Sequence, residues 1–334
     1  MKNLLITCLM ALMPGGILMA SEEVSLPRMC NTPEIQFTEK NGIRLAYMVS
    51  GASVGRPLIM VGGIDQQMAD WPVQLIEGLT KLGYQVIRYD ARDVGCSTIL
   101  SKAAPIAWPA VFEALAKGTA PLLPYTAQDL SQDLLAVMDA LNLSSATLMG
   151  ASGGSTIASI TAARNPQRVD GLVLLMANSG NPAHPVPVNP VRLASVGAPP
   201  TPAASRQEII EYRARAAQAL EGTSIVRDPA EIKSWARTAA DRGYSAEGVA
   251  RSGAALLALG DIRTQLKKVK VPTLVVHGSD DPLISPDAGA EVAEAISDAE
   301  FIVIDGMGHS LPSEGVARVL EEVARTFHTS STGR

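Results

Sequence analysis

Six short apolar runs recur along the chain, at residues 57–63, 85–90, 146–151, 171–178, 272–278 and 301–305, and most neighbouring runs are separated by enough residues for a helix. Each run is too short for an ordinary helix and too uniformly apolar for a strand with one face in water, so each reads as a strand buried on both faces. Amphipathic stretches such as 71–82 and 126–141 lie between them, the second opened by Thr126 and Asp129 at the spacing of an N-cap pair. Parallel strands need long crossovers, and helices supply them. The pattern therefore predicts an α/β class with a mostly parallel central sheet and helices on both faces. Ahead of the first run, residues 34–40 and 43–50 flank Asn41-Gly42, a dipeptide suited to the two positive φ angles of a tight hairpin, so the domain is expected to open with an antiparallel pair.

The alternation fails once. Between the run ending near Asn178 and the one beginning at Pro272 lie roughly ninety residues, far beyond an ordinary crossover. Residues 181–270 are read as a helical cap inserted into a core made of residues 34–180 and 271–328. Pro182, Pro185, Pro187, Pro190, Pro199, Pro200 and Pro202 make a stiff extended lead-in. Ser205 with Glu208 then opens a helix that stops at Gly222, Asp228-Pro229 with Glu231 opens another that stops at Gly243, and Ser245 opens a third ending near Gly260. The insertion carries 13 basic and 8 acidic side chains in a chain of net charge −5. Lys267, Lys268 and Lys270 sit on its exit linker, and the remaining basic residues are expected on solvated helix faces, making the surplus a surface feature.

Residues 1–20 form a separate object. Lys2, the apolar stretch from Leu4 to Met13, the break at Pro14-Gly15-Gly16 and Ala20 before a polar segment match a secretory signal cleaved before Ser21, and an apolar stretch this short does not span a bilayer. The mature protein is thus expected to be exported, periplasmic or secreted, without stable membrane insertion. In an oxidising compartment Cys30 and Cys96 are available to pair or to remain two thiols. No cysteine or histidine spacing suits a structural metal, and an acidic chain does not attract nucleic acid.

The chemistry concentrates after three of the apolar runs. Gly150-Ala151-Ser152-Gly153-Gly154 ends one run and begins a helix-like segment, the setting of a nucleophilic serine on a tight strand-to-helix turn. A phosphate-binding loop would need a lysine that is missing here. A serine hydroxyl needs a base, and of His184, His277, His309 and His328 only His309 lies in a glycine-flanked loop directly after the last run. His277 sits at a strand end and is read as packing, while Asp280 and Asp281 follow it, Asp281 before Pro282 being preferred as the orienting carboxylate. Successive parallel strands place Ser152, Asp281 and His309 on one sheet edge, in the chain order of α/β-hydrolase triads.

Taken together these stretches resemble the α/β-hydrolase superfamily over nearly the whole mature chain. Asp90-Ala91-Arg92-Asp93-Val94-Gly95-Cys96-Ser97 is similar to the family's Asp-x-Arg-x-x-Gly-x-Ser loop, residues 271–278 with Asp281-Pro282 to its acid-bearing strand, and Gly306-Met307-Gly308-His309 to its histidine loop. Trp71-Pro72, residues 89–97 and Asp241-Arg242-Gly243-Tyr244 resemble the branch that includes aclacinomycin methylesterase. The resemblance implies Ser152, Asp281 and His309 as catalytic residues and an oxyanion hole of two backbone amides. Gly153 is one donor; in Met60-Val61-Gly62-Gly63-Ile64-Asp65 the other is either Gly63 or Ile64, and Asp65 would repel an oxyanion unless it points away.

This pattern implies a serine esterase that forms an acyl-enzyme without metal or organic cofactor. A carbon–carbon bond hydrolase or a perhydrolase would use the same triad, and a hydrolase-fold receptor would lack a member of it. The alanine-rich insertion, whose aromatics are Tyr212, Trp235 and Tyr244, suits a small apolar ester better than a sugar or nucleotide.

Overall fold

The computed structural model describes residues 29–201 and 203–328, so the signal expected at 1–20 lies outside the described residues. Eight strands form one sheet: β1 (Gln36–Lys40), β2 (Ile43–Ser50), β3 (Arg56–Val61), β4 (Tyr84–Tyr89), β5 (Ala146–Ala151), β6 (Val169–Leu175), β7 (Thr273–Gly278) and β8 (Glu300–Ile304). Their order is β1-β2-β4-β3-β5-β6-β7-β8. β2 alone runs against its neighbours, and every other pairing is parallel. The turn between β1 and β2 carries Asn41 at φ 53° and Gly42 at φ 75°, as the hairpin requires. All six apolar runs are strands, and the first stops at Val61, which releases Gly62 and Gly63 into the loop above the sheet.

The uniform apolarity of these strands follows from what covers them. Successive side chains point to opposite faces, so Ile59, Ile87, Leu148, Leu172 and Val275 meet the helices Ala127–Ala140 and Gly153–Arg164 on one side. Leu58, Val86, Met149, Val173 and Leu274 pack on the other with Leu75 and Leu79 of helix Val73–Lys81 and Val316, Val319 and Val323 of helix Ser313–His328. Thr126 and Asp129 form a reciprocal capping box at the start of Ala127–Ala140.

Between β6 and β7, besides a single helical turn, Arg263–Leu266, run three long helices, Arg206–Ala219, Pro229–Arg242 and Ala246–Leu259, capped by Ser205, Asp228 and Ser245. The last two end on Gly243 and Gly260, both at positive φ. The first ends at Ala219, earlier than Gly222, because residues 220–225 turn aside to run along the loop after β8, where Ile225 bridges Met307. A short helix, Pro190–Ala194, interrupts the proline-rich lead-in.

The basic residues of this segment are not all on solvated faces. Each of the three helices buries one arginine against aspartates in the loops after β3 and β4. Arg213 meets Asp65 at 2.6 Å and Asp70 at 3.3 Å, Arg242 meets Asp90 at 2.9 Å, and Arg251 grips Asp93 with two bonds of 2.8 Å. Much of the local charge surplus is thereby matched by the core. Among the described residues no helix is long and apolar enough to cross a membrane.

Cys30 and Cys96 are joined in a disulfide across 66 residues of sequence. It ties the segment before β1 to the loop after β4, where the Cys96 amide donates to Asp90 at 2.8 Å. Closing a loop of that length stabilises the fold by about 4 kcal/mol on the chain-entropy account. Cys96→Ala is therefore expected to lower the denaturation midpoint, and reductant should lower the wild type to match; an unchanged midpoint would contradict this.

Candidate active site

The loops that leave the C-terminal ends of β3, β5, β7 and β8 converge above the sheet, where an open parallel sheet presents its ligand crevice. Ser152 stands between β5 and helix Gly153–Arg164 at φ 53° and ψ −124°, a conformation rare for a residue with a side chain. The surrounding backbone holds it there. The Ser152 amide donates to Leu175 O at 2.8 Å, and the Ser155 hydroxyl reaches Gly150 O and Leu175 O at 2.8 and 2.9 Å. The turn is possible only with glycine at two positions: a Cβ on Gly154 would lie 2.0 Å from Val61 O, and one on Gly150 would lie 2.5 Å from Gly154 O.

His309 reaches the same edge from the loop after β8. Its Nδ1 donates to Asp281 Oδ2 at 2.6 Å, which leaves Nε2 as the basic nitrogen of the neutral ring. Its backbone amide donates to Leu220 O at 2.7 Å, so the end of helix Arg206–Ala219 braces the histidine loop. Asp281 is fully buried, and its other oxygen accepts the Leu283 and Ile284 amides at 2.8 and 2.9 Å. His277 Nε2 donates to Ile284 O at 3.0 Å and lies 3.2 Å from Asp281 Oδ2. Burial alone would raise the Asp281 carboxyl, but the two imidazoles and their hydrogen bonds outweigh it and hold the group well below the usual carboxylate range.

Asp280 faces elsewhere, toward Thr223 and the Ser279 hydroxyl. His184 lies 3.5 Å from Glu291, and His328 closes the last helix. In the loop after β3, the Gly63 amide donates to Gln66 Oε1 at 2.9 Å. The Ile64 amide lies 3.7 Å from where a Cβ on Gly153 would stand, and the position of such a Cβ on Gly63 is 3.1 Å from Ser152 Cβ. Asp65, at φ 60°, turns to Arg213. An apolar cavity of about 20 Å³ adjoins these amides, bounded by Tyr89, Val94, Leu130 and Ile157 of the core and by Ser252 and Leu256 of helix Ala246–Leu259.

Three contacts at the site escaped sequence reasoning: Gln66 to Gly63, His277 to Asp281, and Leu220 to His309. The first two are close in sequence, but Gln66 lacked a motif and His277 read as packing. The third spans 89 residues and has no local signal.

Residues 56–316 match the α/β-hydrolase fold family. The chain belongs to that family. Rhodomycin D methylesterase DnrP of Streptomyces peucetius is 26% identical to it over 281 residues, covering 78% of this chain and 87% of the relative. 3-Oxoadipate enol-lactonase 2 of Acinetobacter baylyi is 25% identical over 263 residues, covering 79% and 85%. The solved enol-lactonase from Burkholderia xenovorans LB400 shares the fold with a TM-score of 0.66 and 23% identity, over 88% of this chain and 100% of that one. The chain is a hydrolase of this family, and the methylesterase relative agrees with the branch its motifs resemble.

The clearest steric consequence lies at Gly154. Gly154→Ala sets a methyl group against the Val61 carbonyl and is expected to destabilise the protein by about 3 kcal/mol or more. Thermal melts read this directly, and a wild-type melting temperature would contradict the packing described.

Proposed function

We propose that this hydrolase cleaves a carboxylic ester of a small to medium apolar substrate through an acyl-enzyme on Ser152. The observation that carries the reading is the 2.6 Å bond from His309 Nδ1 to a buried, ionised Asp281, on the sheet edge that also presents Ser152. Nε2 of His309 takes the serine proton as Oγ attacks the carbonyl carbon, then returns it to the leaving alcohol. Asp281 fixes the ring orientation and stabilises the imidazolium. Water, deprotonated by the same nitrogen, releases the acid.

Gly153 and Ile64 supply the amides that stabilise the tetrahedral oxyanion, because Gln66 occupies the amide of Gly63. Residues 181–270 act as a cap, with Ser252 and Leu256 of helix Ala246–Leu259 beside those amides. The methylesterase and enol-lactonase relatives support ester chemistry. An N-terminal signal and the Cys30–Cys96 disulfide support export to an oxidising compartment.

A panel of p-nitrophenyl esters of graded acyl length tests the reading. Short apolar acyl groups are expected to be hydrolysed, and Asp281→Asn to reduce kcat by about 10⁴-fold with KM changed only a few-fold. Hydrolysis insensitive to Asp281→Asn would overturn it.

The depressed Asp281 carboxyl also sets a pH window. A group whose folded value lies below its unfolded value of about 4 contributes stability above that unfolded value and loses it as pH falls toward the folded one. The difference in melting temperature between wild type and Asp281→Asn should therefore not narrow between neutrality and about pH 5, and should narrow below about pH 4. A difference that already closes near pH 6 would contradict an ionised, imidazole-paired Asp281.

A further inference from the structure

Asp65 poses a problem for an oxyanion hole. It follows the Ile64 amide directly, and a carboxylate there opposes the negative charge that develops during attack. The structure resolves this with a side chain from 148 residues further along: Arg213 Nη1 donates to Asp65 Oδ2 at 2.6 Å, and its other terminal nitrogen reaches Asp65 O at 3.4 Å and Asp70 Oδ2 at 3.3 Å. Arg213 is 3% exposed, with its guanidinium 5.0 Å from the Trp235 ring centre and 6.0 Å from that of Tyr244. Both the side chain and the backbone carbonyl of Asp65 are therefore held, at a residue whose φ of 60° makes the peptide orientation sensitive to its restraints. The same helix ends just before Leu220, whose carbonyl receives the His309 amide. One helix of the cap thus touches both the oxyanion side and the general-base side of the site.

We propose that Arg213 is a positioning residue for the oxyanion hole: it turns the Asp65 carboxylate aside and neutralises it, so that the Ile64 amide faces the developing oxyanion. The proposal rests on the ester-hydrolase reading above. Its consequence is that turnover requires the cap helix Arg206–Ala219 to be seated, since no residue of the core supplies this cation among the described contacts of Asp65. Arg213 touches no reacting atom, so its effect is expected in transition-state stabilisation and not in substrate affinity.

The test compares Arg213→Met with Asp65→Asn/Arg213→Met on an ester that the wild type hydrolyses. Arg213→Met should lower kcat about 30-fold with KM within about threefold, less than the roughly 10²–10³-fold cost of losing an oxyanion donor outright, because the Ile64 amide is displaced and not removed. Affinity for a trifluoromethyl ketone, which forms a tetrahedral oxyanion on serine, should weaken by the same factor as kcat/KM. Neutralising Asp65 in the double variant should restore kcat to within about fivefold of wild type, because the unpaired carboxylate is the source of the loss. If Arg213→Met does not fold, Arg213→Lys carries the same comparison, with an expected loss of about fivefold, since an ammonium lacks the two-pronged grip, and recovery to wild-type kcat in Asp65→Asn/Arg213→Lys. An arginine that merely braces the cap would instead give a lower melting temperature and a higher KM, with kcat and ketone affinity unchanged and no rescue by Asp65→Asn; that outcome overturns the proposal. Absence of ester hydrolysis by the wild type itself would refute the esterase reading, which distinguishes the two failures.

Discussion

Carboxylates buried at the C-terminal edge of a parallel sheet must be matched, and that requirement organises this molecule. The side chains of Asp70, Asp90, Asp93 and Asp281 are buried there, and Asp65 stands beside them. An unmatched charge in such a place costs several kcal/mol, so each carboxylate draws a cation or a set of amides to itself. Asp90 accepts the Met68 and Cys96 amides and Arg242, and Asp93 accepts the Leu100 amide and Arg251. Burial still leaves its mark: the Asp70 carboxyl is pushed up to about 6 even beside Arg213. Asp281 alone is matched by imidazoles, and its depressed value marks the difference. Arginine partners give fixed charge and therefore structure. Histidine partners give a proton that can move.

The segment between β6 and β7 is consequently bound to the core by three buried arginines, one from each long helix, in addition to apolar packing. Removing one partner of a buried pair is far more costly than removing both, so the loops after β3 and β4 and the helices of the cap depend on one another to fold. The loop after β3 lies beside Ser152, and the turn at 220–225 lies against the loop that carries His309. Stability and site geometry share the same contacts.

What the sequence made legible was local. The hairpin at Asn41-Gly42, the strand periodicity, the capping pairs at Thr126 and Ser205, and the glycines around Ser152 each write their physics within a few residues. Partners brought together by folding were not legible in this way. Arg213, Arg242 and Arg251 looked like solvated helix residues because nothing near them in sequence reveals an aspartate about 150 residues away. The bond from the Gly63 amide to the Gln66 side chain carries no motif, and the state of Cys30 and Cys96 stayed open because composition does not set distance. The early end of helix Arg206–Ala219 likewise reflects a bridge to Met307 that no stop signal encodes.

Covalent capture reads directly whether Ser152 is an activated nucleophile. Intact-mass measurement of the purified protein after a fluorophosphonate probe should show a single adduct, absent from Ser152→Ala and formed far more slowly by His309→Ala. An unmodified mass on folded wild type, or an adduct that persists in Ser152→Ala, would contradict the account.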